Sequence, residues 1–285
     1  MRMSTVITAI KNLVTDPELR LGDYYNTRHR ANAAGDCLEE YVKDLFAGTL
    51  READEQRRLE ILTRVFSYFG NDSNPPDAML NGGDAIEVKK IETDKGEIQL
   101  NSSHPKKKLL STSQMITETC RNAEGGNWTE KDILYVIGKV KGKMLQAMFM
   151  VYGVDYAASE AIYERLKENI KNNILEIAGA ETDTKEIGRF NRIDPLGVTS
   201  LRIRGMWILQ NPWKAFSYIT QMQKNKKFEF CAIINRSKCE TYEEWESLVE
   251  LSTTNPNLSI SDVHIKKPDN PAELTDAKLI RFTID

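Results

Sequence analysis

Residues 75–89 read PPDAMLNGGDAIEVK, and this stretch decides how the rest of the chain is interpreted. The segments 78–80 and 85–91 carry the apolar and β-branched residues that are typical of strands. The residues NGG at 81–83 lie between them and favour a tight hairpin turn. The sequence therefore predicts two antiparallel strands in direct succession, with polar residues at fixed places on one face.

The register of this hairpin determines which polar side chains meet. A three-residue turn pairs Leu80 with Asp84, and counting back along the ladder places Asp77 opposite Glu87. Opposite residues on one face have Cβ atoms ~4.5–5.5 Å apart. A two-residue turn would shift the register by one and separate the two carboxylates. Lys89 is two residues beyond Glu87, so it projects from the same side of the strand.

This set predicts a hydrolytic metal site. Adjacent carboxylates repel each other unless a cation neutralises them, and a hard oxygen site suits Mg²⁺. Hydrolysis of a phosphodiester requires an activated water and stabilisation of the charge that develops in the transition state. We interpret Asp77, Glu87 and Lys89 as catalytic. Asp77 and Glu87 would bind Mg²⁺, and Lys89 would orient or help deprotonate a water that Mg²⁺ activates.

A third carboxylate is expected from a helix upstream. The predicted helix 35–46 has one apolar stripe, and Glu39 lies beside it, one turn after Gly35. Glu39 can therefore face the edge of the site and support the metal through water. The alternative is an ordinary exposed helix glutamate, which applies equally to Glu40.

Polar and basic residues downstream of Lys89 predict a DNA-binding surface. Lysines neutralise phosphates, and Asn, Gln and Arg side chains read base edges. For residues 99–108, the alternative to a DNA-binding surface is a polar hairpin tip. For Arg202 and Arg204, the alternative is a place in salt bridges. The candidate DNA-binding residues are Gln99, Asn101, Ser102, Ser103, His104, Lys106, Lys107, Lys108, Gln114, Arg121, Arg202 and Arg204.

The composition is that of a globular chain without a membrane span. The 285 residues are 40% hydrophobic, which suffices for one large core, and the net charge of −3 does not exclude a local basic patch. Neither a signal peptide nor a long apolar segment is recognisable, so we expect a cytoplasmic protein. The four cysteines form no CxxC pair and the three histidines are far apart, which favours reduced core thiols over disulfides or a zinc site.

The hydrophobic pattern predicts an α/β fold. The order of elements suggests one domain over 1–285, with a helical N-terminal layer at about 1–70, a catalytic core at about 71–180 and a C-terminal elaboration at about 181–285. A loop is expected at 71–76. The predicted helices are 3–15, 35–46, 52–69, 113–123, 156–178, 211–223 and 241–251. The predicted strands are 78–80, 85–91, 97–101, 133–137 and 145–152.

At these residues the chain resembles type II restriction endonucleases, and specifically the NgoPII-like family. The segments that carry the likeness are PPDAML at 75–80, GGDAIEVKKIE at 82–92 and IQLNSS at 98–103. The segment 35–42 also looks like the first core helix of such nucleases. The resemblance implies a PD-(D/E)XK core, a mixed central sheet flanked by helices. It further implies Mg²⁺-dependent cleavage of double-stranded DNA at GGCC by Asp77, Glu87 and Lys89.

The resemblance also implies partners. A restriction enzyme acts beside a cognate DNA methyltransferase, and a palindromic site has two equivalent scissile phosphates, so a homodimer is the simplest assembly. The N-terminal helices and the helix at 156–178 are the candidate dimer interfaces. Two alternatives stay open: a PD-(D/E)XK nuclease of repair or recombination, and a non-catalytic DNA-binding module of the same fold.

Overall fold

The computed structural model describes residues 3–26, 34–71, 73–100, 103–177, 179–181, 187–223 and 225–285. The helices in this part of the chain are α1 (Val6–Thr15), α2 (Leu21–Asn26), α3 (Ala34–Ala47), α4 (Glu55–Val65), α5 (Glu118–Asn122), α6 (Gly153–Tyr156), α7 (Glu160–Leu175), α8 (Pro212–Ala215), α9 (Arg236–Cys239) and α10 (Trp245–Thr254).

The strands complete the mixed α/β architecture that the sequence predicts. They are β1 (Phe66–Asn71), β2 (Asn74–Leu80), β3 (Ala85–Ile91), β4 (Ile98–Gln99), β5 (Lys108–Leu110), β6 (Glu130–Lys141), β7 (Met144–Tyr152), β8 (Ala180–Glu181), β9 (Gly188–Phe190), β10 (Leu201–Ile203), β11 (Ile208–Leu209), β12 (Phe228–Asn235), β13 (Leu258–Lys267) and β14 (Asn270–Ile284).

The central sheet has the strand order β1-β2-β3-β6-β7-β12-β14-β13, and β5 pairs with β6 beside this path. The sheet is mixed, because β3 pairs with β6 and β7 with β12 in parallel, while the other neighbours are antiparallel. The strands β12, β13 and β14 therefore extend the same sheet that holds residues 75–91. Two further small sheets, β10-β9-β8 and β11-β4, lie outside it.

Alternating side chains give the central sheet an apolar core on each face. In β6, Leu134 and Val136 belong to one core, and Ile133, Tyr135 and Ile137 to the other. The N-terminal helices and α10 cover the first face, and residues from 98–128 and 207–222 cover the second. The N-terminal helices thus form a layer on the first face, and the first of them begins with a capping box.

Several predicted boundaries are wrong, each for a local reason. The helix expected at 52–69 ends at Val65, where the aromatic run of β1 begins, because aromatic side chains pack better on a pleated strand. The loop expected at 71–76 contains the start of β2, where prolines are tolerated because few ladder bonds are needed. The helix expected at 113–123 is reduced to α5, whose N-terminus is capped by the side chain of Thr117.

The C-terminal half departs further from the sequence-based expectation. The helix predicted at 156–178 is shorter and has no buried residue, and the one predicted at 211–223 is reduced to α8. Of the strand predicted at 97–101, the described residues form only β4, and residue 101 lies outside the described part of the chain. The strand at 145–152 is confirmed, and the helix predicted at 241–251 corresponds to α10, in which Trp245 and Leu248 are buried.

All four cysteines are buried and unpaired, as expected for reduced core thiols. No helix in the described ranges combines the length and the apolar character that a bilayer crossing requires.

Candidate active site

The predicted hairpin register is confirmed. Ala78 pairs with Ile86 and Met79 with Ala85, and the Leu80 N–H donates to the Asp84 carbonyl at 2.9 Å. The three-residue turn is made possible by Gly82, whose φ of 69° lies in the left-handed region. One further step along the same ladder places Asp77 opposite Glu87.

The three motif side chains meet on one face of the hairpin. Lys89 Nζ lies 2.7 Å from Glu87 Oε1 and 3.4 Å from Asp77 Oδ2. The Val88 N–H donates to the same Asp77 oxygen at 2.6 Å, so the backbone of β3 fixes the orientation of that carboxylate. The arrangement is a pair of adjacent carboxylates with one ammonium between them.

The carboxylate of Glu87 is buried and only one of its two oxygens has a partner among the described residues. Glu87 is only 7% exposed, and among the described residues its buried Oε2 has no hydrogen-bond partner. Burial, and then the negative charge of Asp77, raise the pKa of Glu87 to about 7. Burial opposes the charge on Lys89, but the carboxylates of Glu87 and Asp77 more than offset this and raise the pKa of the lysine.

A divalent cation fits this donor set. An ionised carboxylate oxygen that is buried without a partner is costly, and a hard cation is the ligand that satisfies it. Asp77 and Glu87 supply oxygen donors of the kind that Mg²⁺ prefers. The unpartnered oxygen of Glu87 is therefore the structural observation that favours a metal at this place.

Glu39 of α3 lies within electrostatic reach of the pair. Burial, and then the charge of Asp77, raise the pKa of Glu39 to about 7. Glu40, the alternative on the same helix, is engaged elsewhere, with Lys43 Nζ at 2.8 Å and with the buried Arg58 at 2.6 Å. The structure thus brings Glu39, and not Glu40, toward the predicted catalytic residues.

Tyr135 is a neighbour of the site that no sequence motif indicated. Tyr135 on β6 is in register with Glu87 on the adjacent parallel strand, so the two side chains share a face. Its hydroxyl accepts from the Lys106 backbone N–H at 2.7 Å, which places the segment around Lys106 above Glu87. Only the pairing of β3 with β6 reveals this, since 48 positions separate the two residues.

The predicted basic cluster at 106–108 does not form one exposed surface. Lys106 is 5% exposed, and burial lowers its pKa while the charges of Glu160 and Glu87 oppose that change. Lys107 pairs with Asp269 at 2.7 Å, and Lys108 pairs with Glu130. Lys106 therefore belongs to the interior beside Glu87, whereas the other two lysines lie partly exposed in ion pairs.

The remaining predicted DNA-binding residues are dispersed. Gln99 and Gln114 are exposed, and so are Arg202 and Arg204, but Arg121 donates to the carbonyls of the turn at 111–113 and is partly buried. His104 is buried, contrary to the place on a DNA-binding surface predicted for it. Ser103 is partly buried, and Asn101 and Ser102 lie outside the described residues.

Two of the predicted DNA-binding segments are nevertheless adjacent in space. The strand β4 pairs with β11, where Gln99 is opposite Ile208, and the Leu100 N–H donates to the Trp207 carbonyl at 2.9 Å. Residues 98–100 therefore lie against the chain that follows Arg202 and Arg204.

Gly70 is another residue of the site that the sequence interpretation passed over. A Cβ atom added to Gly70 would lie 2.3 Å from the Pro76 carbonyl oxygen and 2.8 Å from Asp77 Cα. The backbone of β1 thus supports the backbone of Asp77 directly. A glycine within a strand often signals such a close approach, but this signal was lost because residues 52–69 were interpreted as helix.

Comparison with known proteins identifies the family. The family model described as NgoPII restriction endonuclease matches residues 4–266. The chain is 49% identical to the type II restriction enzyme NgoPII of Neisseria gonorrhoeae over 279 residues, which cover 97% of this chain and 99% of that protein. No solved structure matches. With a match that runs through nearly the whole sequence, the chain belongs to the NgoPII restriction endonuclease family.

Proposed function

We propose that this chain is a Mg²⁺-dependent type II restriction endonuclease with a PD-(D/E)XK active site formed by Asp77, Glu87 and Lys89. The observation that carries the proposal is the hairpin register, which brings both carboxylates to the ammonium of Lys89 and leaves one buried Glu87 oxygen unpartnered. The family match supports the same activity. The near full-length likeness to a restriction enzyme favours this function over repair, recombination or non-catalytic binding.

In this proposal each residue has a defined task. Mg²⁺, when bound by Asp77 and Glu87 with support from Glu39, would supply Lewis-acid stabilisation of the charge on the scissile phosphate. Asp77 is oriented for this by the Val88 N–H. Lys89 carries a firmly held positive charge beside both carboxylates, which suits it to orient an attacking water and to stabilise negative charge on the phosphate.

The substrate follows from the family likeness. We propose double-stranded DNA cleaved at a short palindrome, with GGCC as the expected target. The exposed Gln99, Gln114, Arg202 and Arg204 are the proposed contacts from the described residues. Lys107 and Lys108 are proposed as phosphate contacts that exchange their carboxylate partners for the DNA backbone. A cognate DNA methyltransferase is the proposed functional partner, and the cytoplasm the proposed location.

Plasmid digestion tests the proposal. Purified protein is incubated with a sequenced plasmid in Mg²⁺ or in EDTA, and the ends of the products are sequenced. Discrete fragments that appear only with Mg²⁺ and all end within GGCC are the expected result. A smear would indicate a nuclease without sequence specificity, such as a repair enzyme. Intact plasmid in Mg²⁺ would contradict the catalytic assignment.

A further inference from the structure

A buried histidine faces two glutamates at a distance from the motif residues. His104 is 7% exposed, stacked on Tyr163 with ring centroids 5.0 Å apart and edge-on to Trp207 at 6.0 Å. Two aromatic rings therefore hold the imidazole in one orientation. Its place in the interior differs from that of His264, which is exposed beside Asp276.

The hydrogen bonds of His104 determine which ring nitrogen is available. His104 Nδ1 lies 2.9 Å from the carbonyl oxygen of Pro105. A carbonyl oxygen can only accept, so Nδ1 carries the proton in this contact. In a neutral imidazole the lone pair is then on Nε2, the nitrogen that points away from the backbone. A backbone carbonyl that orients a histidine in this way is the usual outer partner of a metal-binding imidazole.

Nε2 of His104 points at two carboxylates on α7. It lies 3.2 Å from Glu164 Oε1 and 3.4 Å from Glu160 Oε1, and the three atoms are mutually within 4.8 Å. The glutamates are four residues apart, so they project from successive turns on one side of the helix. The side chain of Glu160 is 48% exposed and that of Glu164 is 37% exposed, which leaves the cluster open to solvent from one direction.

We propose that His104, Glu160 and Glu164 form a second metal site, which binds a divalent transition-metal ion such as Zn²⁺ or Mn²⁺. One imidazole nitrogen and two carboxylate oxygens are a donor set that these ions accept, with remaining positions for water. Mg²⁺ prefers oxygen donors alone, so this site differs in chemistry from the one proposed at Asp77 and Glu87.

The surrounding charges are compatible with such a site. The other oxygen of Glu164 pairs with Lys167 Nζ at 3.4 Å, which leaves Oε1 for the cluster. The nearby Lys106 ammonium interacts with the charges of Glu160 and Glu164 and also with that of Glu87. A metal here would link α7 to the segment that carries Lys106. If the proposed function holds, the metal would thereby stabilise the position of the Lys106 ammonium beside the active site.

The alternative for these three residues is a protonated imidazole that bridges the two glutamates without a metal. Zn²⁺ titration by calorimetry decides between the two. The experiment uses full-length protein with Asp77→Asn, so that the proposed Mg²⁺ site is impaired, and compares it with the same protein carrying Glu164→Gln. Glu164 is at the surface, so this change leaves the aromatic packing of His104 intact.

We expect one Zn²⁺ per chain in the Asp77→Asn protein and an affinity at least about tenfold weaker after Glu164→Gln. Zn²⁺ should raise the melting temperature of the first protein much more than that of the second, because only binding to the folded state stabilises it. His264→Gln is the matched control and should leave both readouts unchanged. In the Co²⁺-substituted protein, His104→Gln should alter the visible absorption of the ion.

Equal Zn²⁺ affinity with and without Glu164→Gln would overturn the proposal, and so would an absence of Zn²⁺ binding at micromolar concentration. Either result would assign the cluster to the protonated imidazole. Because both proteins carry Asp77→Asn and neither readout uses DNA, the outcome does not depend on whether the chain cleaves DNA.

Discussion

Neighbouring residues on one strand can differ completely in role, as Lys89 and Lys90 show. Lys89 Nζ contacts Glu87 and Asp77, whereas Lys90 Nζ pairs at 2.8 Å with the exposed Glu92. The alternation of a strand sends consecutive side chains to opposite faces, so one step along β3 separates the proposed catalytic lysine from a surface lysine. This pair therefore provides its own experimental control.

The first prediction concerns this pair and Asp77. Lys89→Met should reduce cleavage about a hundredfold or more, because a preorganised positive charge at the phosphate is lost. Lys90→Met should cleave at the wild-type rate. Asp77→Asn should also abolish cleavage, and it is preferable to alanine because the amide oxygen can still accept from the Val88 N–H. Single-turnover cleavage measures all three rates, and gel shift without Mg²⁺ should show DNA binding retained. Equal losses in the Lys89 and Lys90 variants would contradict the assignment.

The buried carboxyl of Asp155 should make the free energy of unfolding depend on pH. It is buried in α6, its Oδ2 has no partner among the described residues, and burial raises its pKa from 3.8 to about 6. Well below pH 4 both the folded and the unfolded chain are protonated at this group. Between pH 4 and 6 the unfolded chain releases the proton first, so this residue lowers the free energy of unfolding as the pH rises.

Asp155→Asn should remove that dependence. We expect the variant to be more stable than wild type by up to about 3 kcal/mol at pH 7, and by less than about 1 kcal/mol at pH 4. Urea unfolding of both proteins at pH 4, 5, 6 and 7 measures the difference. A difference that is the same at every pH would show that the charge of Asp155 is not its cause.

At the scale of elements, an irregular pairing of β1 with β2 presents Asp77. Between the pairs Phe69–Ala78 and Asn71–Asn74, β1 has one residue and β2 has three. Such a bulge re-aims side chains locally. Gly70 is the single residue opposite it, and its lack of a side chain lets the two backbones approach. The position of Asp77 thus depends on a neighbouring strand and not on the motif alone.

Gly70→Ala should therefore impair catalysis from outside the motif. Its Cβ would meet backbone atoms of Pro76 and Asp77, which must move, and a displacement of about 1 Å can cost a hundredfold in rate. We expect cleavage to fall at least about tenfold. Gly35→Ala is the control, because a Cβ there meets nothing within 4 Å. Cleavage rates and melting temperatures of both variants should be compared; a fully active Gly70→Ala protein would contradict this support role.

At the scale of the whole molecule, the described residues contain one Asp77–Glu87–Lys89 set, while a DNA duplex has two strands to cut. A two-fold homodimer remains the proposed assembly. Among the N-terminal helices considered as interfaces, α1 has six of its ten residues buried in the core. The helix α7 has none buried, and Ile162, Leu166 and Ile170 are exposed at a spacing of four. In an antiparallel pair centred on Leu166, this stripe would pack against its own copy.

Leu166→Lys should accordingly weaken dimerisation on DNA about tenfold or more, because it places a charge at the centre of the stripe. Light scattering of the protein bound to a short GGCC duplex measures the mass of the complex. Leu274→Lys is the control, since Leu274 is exposed on β14. A wild-type complex of one chain per duplex, with the strands nicked in separate binding events, would contradict the dimer.

Sequence alone was sufficient for features that depend on a few consecutive residues. The strand alternation and the glycine turn at 81–83 determine the register that brings Asp77 opposite Glu87, because backbone geometry and side-chain period act locally. The stripe of the helix at 34–47 and the burial of β7 follow in the same way from short-range pattern.

Tertiary structure decided which distant segments share a face. Tyr135 reaches Glu87 only because β6 lies beside β3, and His104 meets Glu160 and Glu164 across more than fifty residues of chain. The wide spacing of the three histidines in the sequence indicated no metal site of this kind. Lys106 resembled its exposed neighbours in sequence, but its segment is seated on Tyr135 and buried. These outcomes depend on how whole faces pack, and the packing free energy is summed over contacts that no short window of sequence contains.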